Sequence, residues 1–268
     1  MNKTFGFIGT GNMGGAVARA VAKAVAGENV FLCDSAMEKA AELAAQLQCN
    51  VATADQVAAK CDYIVLGVKP QMMAKVLGDL APVLAARKDD FVLVSMAAGL
   101  SMAQLRAMAG KDYPVIRIMP NIPVAVGCGM VMYDTTENVT GEQKAIFVES
   151  MAHAGKLDAL PEQLIDAGSA VAGCGPAFAA MFLEALADGG VACGLSRQKA
   201  LDYAAQMLLG SVQLIQQTGQ HPGQLKDAVC SPGGSTIAGV AALERGGLRA
   251  AAISAVEEAL RRTKELGK

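Results

Sequence analysis

The stretch Gly9-Thr10-Gly11-Asn12-Met13-Gly14 decides the fold of the first half of this 268-residue chain. An apolar run of strand type, Thr4–Ile8, leads directly into it, and a helical stretch, Ala16–Val25, follows. In that setting the first glycine permits a tight turn, the second lets the backbone approach a pyrophosphate, and the third lets helix and strand touch. A bare tight turn is the simpler alternative. The setting favours a dinucleotide-binding loop formed by Gly9, Thr10, Gly11, Asn12, Met13 and Gly14, with the pyrophosphate on the helix N-terminus.

Apolar runs of strand type alternate with helical segments as far as about residue 160. After the first strand, the runs are Asn29–Cys33, Cys61–Val68, Phe91–Ser95, Pro114–Ile118, Met130–Asp134 and Gly155–Asp158. Uninterrupted apolar runs suit a parallel sheet that helices cover on both faces. We expect the last two runs to be edge strands that flank a helix at Glu142–Ala152.

The pattern changes after Leu160, where strand-like runs stop and helical periodicity takes over. The helical segments are 161–187, 196–217, 222–229, 236–244 and 248–266. The predicted fold is therefore an α/β Rossmann N-terminal domain, residues 1–160, followed by an all-α C-terminal domain, residues 161–268.

The composition excludes several classes of function. Lys plus Arg is 23 against 25 for Asp plus Glu, so no electrostatic footprint for nucleic acid or an anionic membrane is present. Hydrophobic residues make up 53% of the chain, and surplus apolar surface of this kind generally lies in a subunit interface. The longest uncharged run, Ala167–Leu183, contains Pro176 and is predicted to fall short of a membrane-spanning helix.

The cysteines and histidines show no metal or disulfide pattern. The seven cysteines form no C-x-x-C pair, and neither His153 nor His221 has a ligand at metal spacing. We therefore expect reduced thiols, no metal and a cytoplasmic location.

Polar residues follow two of the predicted strands. Asp34 and Ser35 come about 20 residues beyond the glycines, where an acid accepts ribose hydroxyls and favours NAD over NADP. Alternatively, Asp34 caps the helix Met37–Leu47. Lys69, in Val68-Lys69-Pro70, lies at the sheet edge where ligands bind in open α/β folds. It either attracts cofactor phosphates or a substrate carboxylate, or simply ends a strand in solvent.

The stretch Val229–Ala238 joins two helical segments of the second half. Pro232 and two glycines end the first helix, and Ser235 or Thr236 is suited to cap the second. A helix start behind small residues presents free N–H groups and can hold a carboxylate without an arginine. A well-capped turn between helices is the alternative. The candidate binding residues are Ser231, Gly233, Gly234, Ser235 and Thr236.

The run from Pro222 to Glu244 resembles the signature of the pyrroline-5-carboxylate reductases, the last enzymes of proline biosynthesis. Val68-Lys-Pro-Gln71, Met96-Ala-Ala-Gly99 and Arg117-Ile-Met-Pro-Asn-Ile-Pro123 are similar to the same family. The resemblance implies reduction of 1-pyrroline-5-carboxylate to L-proline by a hydride from NADPH, with NADH as a second donor. It also implies that the cofactor-binding residues include Val68, Lys69, Pro70, Ala97, Ala98, Gly99, Pro120 and Asn121.

The resemblance further implies that residues 231–236 hold the substrate, and that the helical domains form an intertwined dimer, which in relatives often assembles into a decamer. The substrate is a cyclic imine that protonates readily in water, so alignment matters more than a strong protein acid. Thr236 is the predicted catalytic residue, because its hydroxyl would face the ring nitrogen and stabilise the developing amine.

Two other functions compete with this interpretation. The β-hydroxyacid dehydrogenases share a Rossmann half followed by helices, but they use a lysine on the first interdomain helix, and residues 161–190 contain neither Lys nor Arg. A non-catalytic dinucleotide sensor would explain residues 9–14 and leave residues 231–236 without a role.

The chain departs from the family pattern at three positions. Ala172 and Cys174 replace two serines of the family pattern, and Ile122 replaces a threonine.

Overall fold

The computed structural model describes residues 2–266 and contains one eight-stranded sheet. Its strands are β1 (Phe5–Ile8), β2 (Val30–Cys33), β3 (Asn50–Val51), β4 (Tyr63–Leu66), β5 (Val92–Ser95), β6 (Val115–Pro120), β7 (Gly129–Thr135) and β8 (Gly155–Ala159). The order across the sheet is β3-β2-β1-β4-β5-β6-β7-β8. All neighbouring pairs are parallel except β6 and β7. The sheet order reverses direction between β1 and β4, which is the point where such folds bind ligands.

Helices cover both faces of this sheet. They are α1 (Asn12–Val21), α2 (Met37–Leu47), α3 (Ala54–Lys60), α4 (Pro70–Ala86), α5 (Met102–Ala109) and α6 (Gly141–Ser150), with short 3₁₀ turns at Gly27–Asn29 and Ile122–Val126. Successive residues of a strand point to opposite faces. Phe7 of β1 therefore packs in one buried cluster with Val17 of α1, whereas the next residue, Ile8, packs in the other with Leu77 of α4. Each such buried side chain contributes about 2 kcal/mol to folding.

The predicted Rossmann arrangement of the first half is confirmed, with two corrections to its strands. The strand β3 was not predicted from the sequence, because its two residues are too few to form an apolar run. The expectation that both late strands lie at edges is wrong for β7, which pairs with β6 on one side and β8 on the other. Its middle is buried, with Val131 fully covered, as expected for an interior strand.

After β8 the described residues form helices joined by short turns, and the predicted helical second half is confirmed. The helices are α7 (Glu162–Gly168), a π-helical segment (Ser169–Gly173), α8 (Gly175–Ala192), α9 (Arg197–Thr218), α10 (Pro222–Val229), α11 (Ser235–Arg245) and α12 (Leu248–Leu266). The contacts between residues divide the described chain into two compact units. One runs up to Cys174 and includes the residues from Ala259 onward, and the other is Gly175–Glu258. The domain boundary at residue 160 stays a prediction.

Helical structure continues from Glu162 to Ala192, so Pro176 does not shorten the apolar run as expected. Pro176 lies in the first turn of α8, where its missing N–H leaves no helical hydrogen bond unmade. By length and composition alone, these 31 residues could cross a membrane, with a mean hydropathy of 1.6 over the most apolar window. Only 11% of that window is buried within one copy of the chain. This apolar surface therefore needs a covering.

Candidate cofactor and substrate sites

The glycine loop between β1 and α1 has the geometry of a phosphate-binding turn. Gly9 has φ +99°, and a side chain there would lie 2.7 Å from the carbonyl carbon of Gly67. A Cβ at Gly14 would lie 2.1 Å from the carbonyl oxygen of Gly9, so strand and helix touch at this point. Gly11, by contrast, has no atom within 4 Å of its Cβ position. The open side of the turn therefore lies at Gly11, where a ligand can reach the backbone.

The start of α1 offers unpaired donors beside that opening. Gly11 is the N-cap and provides no side-chain cap. The first intrahelical bond runs from the N–H of Gly15 to the carbonyl of Gly11, at 2.7 Å. Among the described residues, no acceptor is found for the N–H groups of Asn12, Met13 and Gly14. Three free N–H groups at the positive end of a helix dipole suit a pyrophosphate.

Asp34 links this loop to the end of β2. Its Oδ2 accepts hydrogen bonds from the backbone N–H of Thr10 at 2.7 Å and from the Thr10 hydroxyl at 3.2 Å. Its Oδ1 accepts from the N–H of Ala36 at 3.0 Å and from the Ser35 hydroxyl at 3.4 Å. Burial by itself raises the pKa of Asp34, but these hydrogen bonds outweigh it and hold the pKa below its ordinary value. The carboxylate is therefore ionised at neutral pH.

Two cavities flank the glycine loop. The larger, about 570 Å³, is lined by six of the predicted cofactor residues: Gly9, Gly11, Asp34, Ser35, Val68 and Lys69. The other, about 430 Å³, lies on the α1 and α2 side and is lined by Thr10, Gly11 and Asn12 together with Arg19 and Lys39. Both are lined by Gly11, which follows the carboxyl end of β1, the edge of the sheet where ligands bind in such folds.

The other predicted cofactor residues lie after neighbouring strands at the same edge of the sheet. Pro70 begins α4, with Lys69 as the N-cap. Ala97, Ala98 and Gly99 form the turn after β5, in which Gly99 has φ +75°. Neither of the two cavities is lined by Met13, Pro70, Ala97, Ala98, Gly99, Pro120 or Asn121.

Asn121 follows Pro120, the last residue of β6, and its side chain is held by two protein partners. Its Nδ2 donates to the carbonyl of Ala172 at 2.9 Å, and its Oδ1 accepts from the N–H of Met130 at 2.9 Å. One amide hydrogen and one lone pair remain for a ligand.

The stretch from Ser231 to Thr236 forms a tight turn and a helix start in the second unit. Gly233 has φ +67°, and the N–H of Gly234 donates to the carbonyl of Ser231 at 3.0 Å. A Cβ at Gly234 would lie 2.4 Å from the Ser231 hydroxyl oxygen, so that hydroxyl rests directly against the backbone of the turn. Gly233 is therefore required by its backbone conformation, whereas a side chain at Gly234 would displace the Ser231 hydroxyl.

The predicted cap of α11 is wrong. Gly234 is the N-cap, and no side chain caps the helix, so Ser235 and Thr236 already belong to its first turn. The first intrahelical bond is from the N–H of Ala238 to the carbonyl of Gly234. The N–H groups of Ser235, Thr236 and Ile237 have no acceptor in the part of the chain that is described. Leaving them uncapped provides the donor set that a carboxylate ligand needs.

His221 has a structural role at the neighbouring helix. Its Nδ1 accepts from the N–H of Gly223 at 3.1 Å, and Gln224 Oε1 accepts from the N–H of His221 at 3.0 Å. These bonds cap the start of α10. Within residues 2–266, no three His, Cys, Asp or Glu side chains are grouped so that they could hold a metal ion.

Sequence reasoning assigned no role to two residues that shape the first unit. A Cβ at Gly67 would lie 2.4 Å from the carbonyl oxygen of Gly9, so this glycine is needed where β4 passes the loop. Arg117 is buried on β6 and pairs with Asp166 at 2.6 Å and Glu162 at 3.4 Å, which fastens α7 to the sheet. A charged residue inside the apolar run 115–119 was the available signal for Arg117.

Comparison with known proteins gives one consistent result. A family model described as pyrroline-5-carboxylate reductase dimerisation matches residues 162–266, and one described as NADP oxidoreductase, coenzyme F420-dependent, matches residues 4–99. The chain is 38% identical to the pyrroline-5-carboxylate reductase of Escherichia coli (strain K12) over 100% of both proteins. It is 43% identical to that of Glycine max over 79% of this chain and 76% of the relative.

Solved structures agree. The crystal structure of the Plasmodium falciparum pyrroline carboxylate reductase with NADP bound is similar to this chain, with a TM-score of 0.89 and 32% sequence identity. The similarity covers 100% of this chain and 99% of that one.

Proposed function

Because the chain belongs to the pyrroline-5-carboxylate reductase family, we propose that it reduces 1-pyrroline-5-carboxylate to L-proline by hydride transfer from NADPH or NADH. It is an oxidoreductase that acts on a C=N bond and works as a homo-oligomer. The observation that carries this function is the similarity over the whole chain, which spans both the glycine loop and the helix start at residue 235.

The first unit binds the dinucleotide. The free N–H groups of Asn12, Met13 and Gly14 hold the pyrophosphate beside Gly11. The other contacts come from residues at the carboxyl ends of the strands: Gly9, Thr10, Asp34, Ser35, Val68, Lys69, Pro70, Ala97, Ala98, Gly99, Pro120 and Asn121. When bound, the cofactor supplies the hydride from its nicotinamide ring.

The turn from Ser231 to Thr236 binds the substrate carboxylate. Support comes from the unpaired N–H groups of Ser235, Thr236 and Ile237, and from the Ser231 hydroxyl that rests against Gly234. This set of small residues holds an anion through backbone donors and leaves space for a five-membered ring. Gly233 and Gly234 contribute by permitting the turn itself.

Thr236 positions the reacting nitrogen. The imine arrives protonated from water, so its carbon accepts a hydride and its nitrogen becomes a neutral secondary amine. The Thr236 hydroxyl has no partner among the described residues and can hydrogen-bond this nitrogen while the charge changes. The remaining contribution of the protein is alignment and exclusion of water.

The Thr236→Val variant tests this role. Loss of one positioned donor costs about 100-fold in kcat/KM for the imine, with NADPH affinity unchanged. Thr218→Val is the matched control, since Thr218 ends α9 and its hydroxyl has only local backbone partners: it donates to the carbonyl of Leu214 and accepts from the N–H of Gln220. Wild-type kcat/KM in Thr236→Val would remove Thr236 from the mechanism.

The exposed apolar surface of the helices is covered by a second copy of the chain. Val171, Met181 and Ile253 are each at least 60% exposed, and the matching family model is one for dimerisation. The dimers assemble further into a decamer, and the enzyme is a soluble cytoplasmic protein. Light scattering in detergent-free buffer should give ten times the chain mass of 27.5 kDa. Twice the chain mass would contradict the decamer and keep the dimer, and extraction only with detergent would contradict both.

The reaction itself is tested by nicotinamide absorbance. Purified protein with NADPH or NADH should oxidise the cofactor only when 1-pyrroline-5-carboxylate is added. A folded protein that binds the dinucleotide but does not turn over would instead support a sensing function, because residues 231–236 would then have no catalytic role.

A further inference from the structure

The side chain of Asn121 extends the pairing of β6 and β7 beyond the last backbone pair. Pro120, which ends β6, lies opposite Val131, and Met130 precedes Val131 on β7. The N–H of Met130 donates to Asn121 Oδ1 at 2.9 Å, so a side chain takes the place of a backbone acceptor. Asn121 is only 9% exposed, and its amide is therefore held within the protein.

The other half of this amide binds the π-helical segment, Ser169–Gly173. Asn121 Nδ2 donates to the carbonyl of Ala172 at 2.9 Å. The residue four positions after Ala172 is Pro176, which leaves no bond of α8 itself unmade but has no N–H to offer this carbonyl. Asn121 therefore supplies a donor that the proline lacks, at a helical irregularity of the kind that often marks functional sites.

Asn121 lies in the half of the sheet that serves the nicotinamide. In a fold of this kind, the strands on the two sides of the switch point bind the two halves of a dinucleotide. The glycine loop after β1 serves the adenosine half, and β4, β5 and β6 serve the other. Arg117, in the middle of β6, is paired with Asp166 of α7, and Ile165 of α7 is fully buried against β6 and β7. The amide of Asn121 is the next fastening of this helical stretch toward the carboxyl edge of the sheet.

We propose that Asn121 is a positioning residue for hydride transfer, because its amide locks the turn after β6 to the π-helical segment and so fixes the nicotinamide side of the cofactor site. This role is exerted through the backbone of Met130 and Ala172, and it adds to the contact proposed above for Asn121. The proposal rests on the proposed function, because it concerns the reaction at that site.

The Asn121→Asp variant isolates the bond to Ala172. Its carboxylate still accepts from the N–H of Met130 but has no hydrogen to donate to the carbonyl of Ala172. The kcat for the imine should fall by about tenfold or more, since a small misplacement of reacting atoms has effects of this size. Adenosine 2′,5′-bisphosphate carries only the adenosine half of NADPH, and its affinity, measured by calorimetry, should stay unchanged.

The Pro176→Ala variant tests the pairing itself. The alanine N–H can donate to the carbonyl of Ala172, which then no longer depends on Asn121. In the wild-type background, Asn121→Asp should lower the Tm by about 2–4 °C, the effect of one hydrogen bond. In the Pro176→Ala background the loss of Tm should be smaller, and a double-mutant cycle measures this coupling.

Two further variants control for the chemistry of the change and for folding. Asn138→Asp is the matched control, because Asn138 Nδ2 also donates to a backbone carbonyl, that of Asp112 at 2.9 Å, but beside the start of β6. It should leave kcat unchanged. Asn121→Ala introduces no charge, and it should lower kcat and Tm in the same direction if the aspartate variant folds poorly.

A lower Tm with wild-type kcat would overturn the proposal, because Asn121 would then only stabilise the fold. An equal loss of Tm in both backgrounds, or an equal fall in affinity for adenosine 2′,5′-bisphosphate, would also overturn it. Absence of turnover by the wild-type protein would refute the proposed function alone, because the two losses of Tm still decide whether Asn121 fastens the turn to the π-helical segment.

Discussion

Alanine at Gly14 and at Gly11 should have opposite effects on folding and binding. At Gly14 the new methyl group would lie 2.1 Å from the carbonyl oxygen of Gly9, a backbone atom that cannot move without opening the loop. Overpacking of this kind costs about 3 kcal/mol. For a chain of this size, that corresponds to a Tm lower by about 6–12 °C.

At Gly11 the backbone is extended, with φ −62° and ψ −167°, and the methyl group would meet no protein atom within 4 Å. Stability should therefore change by less than about 1 kcal/mol. The methyl group would instead occupy the space through which the pyrophosphate approaches, which should weaken NADPH binding by about tenfold or more.

The assay is differential scanning fluorimetry without cofactor, followed by titration of NADPH against the quenching of protein or nicotinamide fluorescence. All variants are compared at one protein concentration, because the Tm of an oligomer depends on it. An unchanged Tm for Gly14→Ala, or full NADPH affinity for Gly11→Ala, would refute the reasoning about this loop.

Three further predictions concern the first unit. Arg117→Met should lower the free energy of unfolding by about 3 kcal/mol, because it leaves two carboxylates without their buried partner. Lys75→Met, at an exposed ion pair, should lower it by less than about 1 kcal/mol, and equal losses in thermal unfolding would contradict this. Tyr63→Phe removes the 2.7 Å hydrogen bond from the phenol to the carbonyl of Gln143, so it should lower the free energy of unfolding by about 1 kcal/mol and leave kcat unchanged. A lower kcat would show that the role of the phenol is not only structural. Burial raises the pKa of Asp62, but hydrogen bonds from Thr4 and Lys3 outweigh it and lower the pKa. The Asp62 carboxylate therefore contributes its full stabilisation of the fold above the ordinary Asp pKa of about 4, and this contribution is lost as pH falls through the lowered pKa. Asp62→Asn should make the Tm fall less steeply at acid pH than in the wild type. The same dependence of Tm on pH in both proteins would show that Asp62 is not the cause of the acid decline.

The sequence predicts elements whose signals are local. The glycine loop, β1 and the helices α10 to α12 follow from apolar period, glycine and proline, all of which act over a few residues. The strand β3 was missed, because two residues carry no period. The apolar run of β7 indicates that the strand is buried, but it does not indicate which strands pair with it. The interior position of β7 in the sheet could therefore not be predicted from the sequence.

The candidate site was predictable in part for the same reason. Gly9 and Gly14 contact each other within one turn, so spacing alone suggests their roles. The contact of Asp34 with Thr10 spans 24 residues, and that of Arg117 with Asp166 spans 49, and no local pattern encodes such pairs. The cap of α11 was predicted wrongly, because hydroxyl residues usually cap helices and here Gly234 leaves the N–H groups open.

Deuterium transfer is the most direct test of hydride delivery to the cyclic imine. Wild-type protein should be incubated with 1-pyrroline-5-carboxylate and NADPH that carries deuterium at nicotinamide C4, on the face that is transferred, and the product analysed by mass spectrometry. The expected product is L-proline with one deuterium on the ring carbon that was double-bonded to nitrogen. Unlabelled proline, or no proline while the cofactor stays bound, would contradict the proposed reaction.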